Sequence, residues 1–150
     1  MPRIRHLAIS SQHPGKAAAF YKKALGFVEL NRFNLAPDDD GSDGADAPRP
    51  SGVIMTDGHI NIAILKFNQD QIGKDLEYEG LHHIGVVVDD LASWTEKLEA
   101  MGAPCIAGED AIPPGAHYEI KFRGPDDVVF DISPLPWPGS EDAAEKEAAE

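Results

Sequence analysis

Two stretches of this chain begin in the same way. IRHLAISS at 4–11 and GLHHIGVVVDD at 80–90 each place a histidine early in a short apolar run. Each then leads through a polar corner into a segment with helical spacing, AAAFYKKALGF (17–27) and ASWTEKLEAMG (92–102). His6 and His83 lie 77 positions apart, and Gly26 and Gly102, which close the two helical segments, lie 76 apart. A unit used twice with one residue of drift restricts the chain to architectures made of two like halves. Each half, roughly 75 residues, is too small to bury a sufficient core alone, so the halves are expected to pack as a single domain. Its expected span is 1–135, with a first unit at about 3–68, a polar connector at 69–79, a second unit at about 80–133 and an acidic, flexible tail at 136–150.

Alternation along the first strand puts Ile4, His6, Ala8 and Ser10 on one face and Arg5, Leu7 and Ile9 on the other. The helix after it has apolar positions at Ala17, Phe20, Tyr21, Ala24 and Leu25 and a cap at Gly26, with Phe20 and Tyr21 read as core. A second strand is expected over 28–35. The stretch 36–52 is rich in Asp, Gly and Pro and specifies no regular element. Its Asp38, Asp39, Asp40, Asp43 and Asp46 lack the spacing and closing glutamate of a hand-type calcium loop, so a solvated loop is expected. Asp57-Gly58 is a strong turn between two strands. The second of these puts Ile60, Ile62, Ile64 and Lys66 on one face and Asn61, Ala63, Leu65 and Phe67 on the other. In the second half His83, Gly85 and Val87 face one way and His82, Ile84, Val86 and Val88 the other. Two closing strands meet at GPDD, and Val129, Asp131 and Ser133 share a face of the last.

Charge removes some partners. With 26 acidic against 13 basic side chains the net charge is -13, which repels phosphate backbones, so nucleic acid is not an expected partner. No long apolar run marks a membrane span or signal peptide, and a cytoplasmic location is expected. The single cysteine, Cys105, excludes an internal disulfide framework. An aspartate between apolar residues late in a strand needs compensation once buried, from a metal or from hydrogen bonds. His6, His83 and Asp131 each sit on a strand among small or modest neighbours. Two neutral imidazoles and one carboxylate suit Fe(II) or Mn(II), with open positions for substrate. On spacing alone, two buried histidines and a surface or hydrogen-bonded aspartate meet the same pattern better than a metal site does.

Taken together, IRHLAISSQHPGKAAAFYKKALGFVEL, LHHIGVVVDDLASWTEKLEAMGAP and FRGPDDVVFDIS resemble the vicinal oxygen chelate (VOC) family over about 3–133. That family includes glyoxalase I, methylmalonyl-CoA epimerase, extradiol ring-cleaving dioxygenases and the fosfomycin and bleomycin resistance proteins. The resemblance implies an α+β fold of two tandem βαβββ modules closing a cup-shaped mixed sheet around a divalent metal, commonly in a homodimer. The family's metal positions fall on His6, His83 and Asp131, with aspartate where glutamate is usual, and its fourth-strand ligand position falls on Ile64. Fe(II) or Mn(II) is favoured, with Ni, Co or Zn as alternatives. Because isoleucine cannot bind metal, the resemblance points first to an extradiol-type dioxygenase-like enzyme acting on a small organic substrate. A glyoxalase-like lyase, epimerase or isomerase is the alternative, and a metal-free binding or resistance protein the third. Candidate catalytic groups are His117, Tyr118 and Glu119, the last also a reserve carboxylate; Lys121 stands where the family's ring-cleaving members place a tyrosine.

Overall fold

Short alternating runs punctuated by Gly, Pro and Asp become strands, and the two segments of helical spacing become helices. The computed structural model describes residues 1–35, 49–108 and 119–135. Its elements run β1 (Arg3–Ser10), α1 (Pro14–Leu25), β2 (Val28–Phe33), β3 (Ser51–Thr56), β4 (Asn61–Lys66), β5 (Gly80–Val87), α2 (Leu91–Ala100), β6 (Cys105–Ala107), β7 (Ile120–Arg123) and β8 (Val129–Ser133). A 3-10 turn at Pro125–Asp127 joins the last two strands. The eight strands form one mixed sheet in the order β2-β3-β4-β1-β5-β8-β7-β6. This is the expected α+β pattern of two βαβββ units, joined where their first strands, β1 and β5, pair antiparallel. Each first strand also pairs parallel with the last strand of its own unit, β1 with β4 and β5 with β8.

Both helices stop where a left-handed residue is needed. Gly26 follows α1 at φ +75° and Gly102 follows α2 at φ +85°, a conformation that glycine adopts without a side-chain penalty. Asp90 caps the start of α2, accepting hydrogen bonds from the backbone N–H and the hydroxyl of Ser93.

The core lies mainly between sheet and helices. Ala18 of α1 packs on Val53, Met55, Ile62 and Ile64, while Leu91, Trp94 and Leu98 of α2 cover Ile120, Phe122 and Ile132. On the opposite face Ala8, Ala63 and Ile54 form a smaller cluster with Phe33 and Leu65, and the two alanines leave room above them. Phe20 departs from its expected core position and is 63% exposed. It is two residues beyond Ala18, about 200° around the helix, so the face that buries Ala18 turns Phe20 outward. Tyr21 packs against the core as expected.

The segment 69–79 is polar and carries neither strand nor helix. Its path is set by side chains: the Asp70 carboxylate accepts from the N–H groups of Ile72, Gly73 and Lys74, and Gln12 and Arg49 both donate to the Leu76 carbonyl. The aspartates of 38–46 and the tail 136–150 lie outside the described residues. Among the described residues no helix is long and apolar enough to cross a membrane.

Candidate metal centre

The two histidines of the repeated unit meet across the β1–β5 pair. Register sets His6 opposite Gly85 and His83 opposite Ala8, so both imidazoles rise above small residues from the face of the sheet away from the helices. Gly85 is the seat of His6: a methyl group there would overlap the imidazole at Cε1 and Nδ1. The two Nε2 atoms lie 3.1 Å apart with the rings edge to face. Asp131 stands in register with Gly85 on the neighbouring β8. Its Oδ2 is 3.0 Å from His83 Nε2 and 3.6 Å from His6 Nε2. Glu119, just before β7, brings Oε1 to 3.9 Å from His6 Nε2. One ligand atom from each of His6, His83, Glu119 and Asp131 falls within 4.8 Å of all the others.

Burial makes this arrangement costly without compensation. His6, His83 and Asp131 are 2%, 3% and 0% exposed. A carboxylate removed from water that far requires an opposite charge or several donors. Lys121, abreast of Asp131 on β7 and itself buried, places Nζ 3.2 Å from Asp131 Oδ2 and 3.3 Å from Glu119 Oε2. Burial alone would raise the Asp131 pKa, but the His6 and His83 imidazoles and the Lys121 ammonium outweigh it and hold the group well below the usual carboxylate range. Burial pushes the His83 pKa down, an effect that its contact with Asp131 partly offsets.

The donor set fits a divalent cation. Ligands at about 2.1 Å from one ion stand about 3.0 Å apart at right angles and about 3.4 Å apart in a tetrahedron, and the separations of 3.0, 3.1 and 3.6 Å among His6, His83 and Asp131 bracket those values. Asp131 Oδ1, fully buried, has no hydrogen-bond partner among the described residues, which leaves an acceptor oxygen beside the same point. Imidazole and carboxylate serve Fe, Mn, Co, Ni and Zn alike, so the donors define a class of metal and not a member of it.

His82 does not face away as alternation predicts. Between Ala8↔His83 and Ile9↔Leu81 the register advances one residue on β1 and two on β5, so His82 is the extra residue of a bulge. Its ring stacks on Phe67 with centroids 3.8 Å apart, and its Nδ1 lies 2.7 Å from the Nδ1 of His83. Burial, then the neighbouring His83 and Lys121, lower its pKa to about 3. Both histidines of the HH pair thus reach the centre, His83 directly and His82 through it.

Ile64 also departs from the position that the resemblance implies. It packs under α1 at 0% exposure, on the face opposite His6. Parallel pairing of β1 with β4 sets Asn61, buried and on the same face as His6, in register with it. Glu119 and Lys121, two residues apart, meet at the same side of the centre, where Lys121 stands as counter-charge to Glu119 and Asp131 and not at the place of a tyrosine alone. His117 and Tyr118 lie outside the described residues. A cavity of about 280 Å³ opens beside His83, lined among others by Ile72, Tyr78, Leu81, His82 and Arg123.

The family model described as Glyoxalase/Bleomycin resistance protein/Dioxygenase superfamily matches residues 3–132. No curated protein matches the chain. Among solved structures, a hypothetical protein from Bacillus halodurans C-125 aligns with a TM-score of 0.63 at 17% identity, over 88% of this chain and 93% of that one. Methylmalonyl-CoA epimerase from Mycobacterium tuberculosis aligns with a TM-score of 0.59 at 17% identity, over 98% of this chain and 91% of that one. A Streptomyces coelicolor methylmalonyl-CoA epimerase in complex with 2-nitronate-propionyl-CoA aligns at 0.58 and 16% identity, over 87% of this chain and 94% of that one. At these identities the likeness is one of fold.

Proposed function

Because the chain belongs to the Glyoxalase/Bleomycin resistance protein/Dioxygenase superfamily, we propose that it is a metal-dependent enzyme of the epimerase, isomerase or lyase type. In this reading His6, His83 and Asp131 hold a divalent cation, and Glu119 moves a proton on a small organic substrate. The observation that carries the reading is the second carboxylate: Glu119 Oε1 stands 3.9 Å from His6 Nε2, so a base is present beside a complete set of three ligands. A bound divalent ion supplies Lewis-acid polarisation of a substrate carbonyl. Glu119 takes the proton from the adjacent carbon and returns it or passes it on. Lys121, 3.3 Å from Glu119 Oε2, fixes that carboxylate with a charge-assisted hydrogen bond. The cavity beside His83 receives the rest of the substrate and limits its size. The likeness of fold to methylmalonyl-CoA epimerases agrees with proton transfer as the reaction class.

Asn61, in register with His6, offers an amide on the strand where the resemblance points to Ile64, and this favours proton transfer over ring cleavage. Oxidative ring cleavage stays as a second reading on one observation, the two-imidazole, one-carboxylate donor set. The enzyme is taken to work as a homodimer on a small molecule.

Metal-loaded protein incubated in D2O with 2-oxo acids and acyl thioesters tests the proposal. Deuterium at the carbon next to the carbonyl, lost in E119Q and in D131A, is the expected result. Dioxygen uptake with catechols and no deuterium exchange would replace it with the second reading. Wild-type protein that takes up no iron, manganese, zinc, cobalt or nickel overturns both and leaves a binding pocket.

A further inference from the structure

The Nδ1 atoms of His82 and His83 are 2.7 Å apart. Two imidazole nitrogens at that distance share a single hydrogen, one acting as N–H and the other as a lone pair. The far side of His83 decides which. Its Nε2 lies 3.0 Å from Asp131 Oδ2 and 3.1 Å from His6 Nε2; the imidazole nitrogen can take either role, but the carboxylate oxygen can only accept. Without a metal, therefore, His83 carries its hydrogen on Nε2, and its Nδ1 accepts from the N–H of His82. A cation bound by His83 requires the Nε2 lone pair, which places the hydrogen on Nδ1. The Nδ1 of His82 must then accept instead of donate.

We propose that His82 is a positioning residue of the metal centre, a tautomer partner that reverses its hydrogen-bonding sense when His83 takes a metal ion. The proposal rests on the reading of His6, His83 and Asp131 as ligands. Its proton balance closes with water alone. One proton leaves His83 Nε2 for solvent, one crosses from His82 Nδ1 to His83 Nδ1, and one arrives from water at His82 Nε2, so neither ring changes charge. His82 lines the cavity beside His83, which gives water a path to its ring. The flat stack on Phe67, with ring planes 12° apart, holds the ring in place while its protons move. The bulge in β5 is what makes the contact: strict alternation would carry His82 to the other face of the sheet.

Protein labelled with 15N in its histidine rings tests this by long-range 1H–15N spectra, first in chelator and then with saturating Zn2+. In chelator His82 is expected as the Nδ1–H form and His83 as the Nε2–H form. With Zn2+ both are expected to exchange. His82→Phe keeps a ring against Phe67 and removes both nitrogens, and it is expected to weaken Zn2+ binding by about ten- to a hundredfold. His82→Asn, whose amide can turn either oxygen or nitrogen toward His83, is expected to recover most of that loss. Unfolding in chelator shows whether either variant is damaged as a fold; if H82F is, the wild-type spectra and H82N decide. An unchanged His82 tautomer with Zn2+ bound at His83 overturns the proposal and leaves the ligand reading standing. Wild-type affinity in folded H82F does the same. Absence of Zn2+ binding to wild-type protein overturns the ligand reading itself, and the exchange with it.

Discussion

Replacing Gly85 by alanine isolates the seat of His6 from its chemistry. The added methyl would overlap Cε1 and Nδ1 of the imidazole, and ordinary van der Waals contact begins at 3.4 Å. The ring must therefore retreat by more than an ångström. A retreat of that size destroys the 3.1 Å spacing between the two Nε2 atoms on which a shared cation depends. Overpacking of this kind costs about 1–3 kcal/mol of stability. Displacing one ligand is expected to weaken Zn2+ binding by at least about ten- to a hundredfold, or about 1.4–2.8 kcal/mol. Urea unfolding in chelator reads the first quantity, and competition for Zn2+ against a chromophoric chelator reads the second. Gly26→Ala is the control: nothing lies within 4 Å of its added carbon, but φ is +75°, so it is expected to lose about 1–2 kcal/mol and no zinc affinity. A G85A protein with wild-type stability and wild-type zinc affinity would refute the placement of His6 over Gly85, and with it the geometry of the centre.

Lys121→Met removes the ammonium that faces Asp131 while keeping chain length. Metal-free protein is expected to lose about 3–5 kcal/mol, and zinc, no longer opposed by a neighbouring cation, to bind about tenfold tighter or more; equal affinities would count against the ammonium as a competitor. Acid should destabilise the metal-free protein. His82 and His83 have depressed pKa values, so below the ordinary 6.5 the unfolded chain binds protons that the folded chain refuses. Stability should hold above that pH and fall below it, by up to about 1.4 kcal/mol per pH unit for each imidazole, continuing for His82 toward about 3. The depressed Asp131 pKa adds stability that is present above its ordinary 3.8 and lost only in stronger acid. Denaturant titrations from about pH 8 to about pH 5 check the sign, and stability that rises on acidification would contradict it. Asp90→Ala removes the cap of α2 and is expected to cost about 1 kcal/mol by thermal or urea unfolding, with zinc affinity unchanged.

Much of this fold is legible in the sequence because local signals repeat. The histidine-bearing runs, the two terminal glycines of the helices and the Asp57-Gly58 turn each act over a few residues, and each is found where it is expected. The departures share another cause. Helical spacing alone points Phe20 to the core, but which side of α1 is buried depends on how the sheet receives Ala18. Ile64 and Asn61 cannot be told apart as neighbours of His6 until β1 and β4 are laid parallel in a definite register. His82 turns toward the centre because β5 carries one residue more than β1 between two pairing points, a property of the pair and not of either strand. The centre is legible in part for the same reason: His6, His83 and Asp131 follow from alternation within their strands. The contacts of Lys121 with both carboxylates require β7 and β8 side by side.

The strand order has a twofold character that the side chains do not keep. Matching the first unit to the second sets β1 against β5 and β4 against β8, and the order β2-β3-β4-β1-β5-β8-β7-β6 then reads alike from either end. Beside the central pair, one wall offers the neutral amide of Asn61 and the other offers Asp131, with Lys121 and Glu119 behind it. Two matching walls would hold a prochiral molecule in two equivalent orientations. Here the orientations differ, because left and right present different charge. On a repeated backbone, the two ways of seating one molecule across the central pair are in this way no longer equivalent.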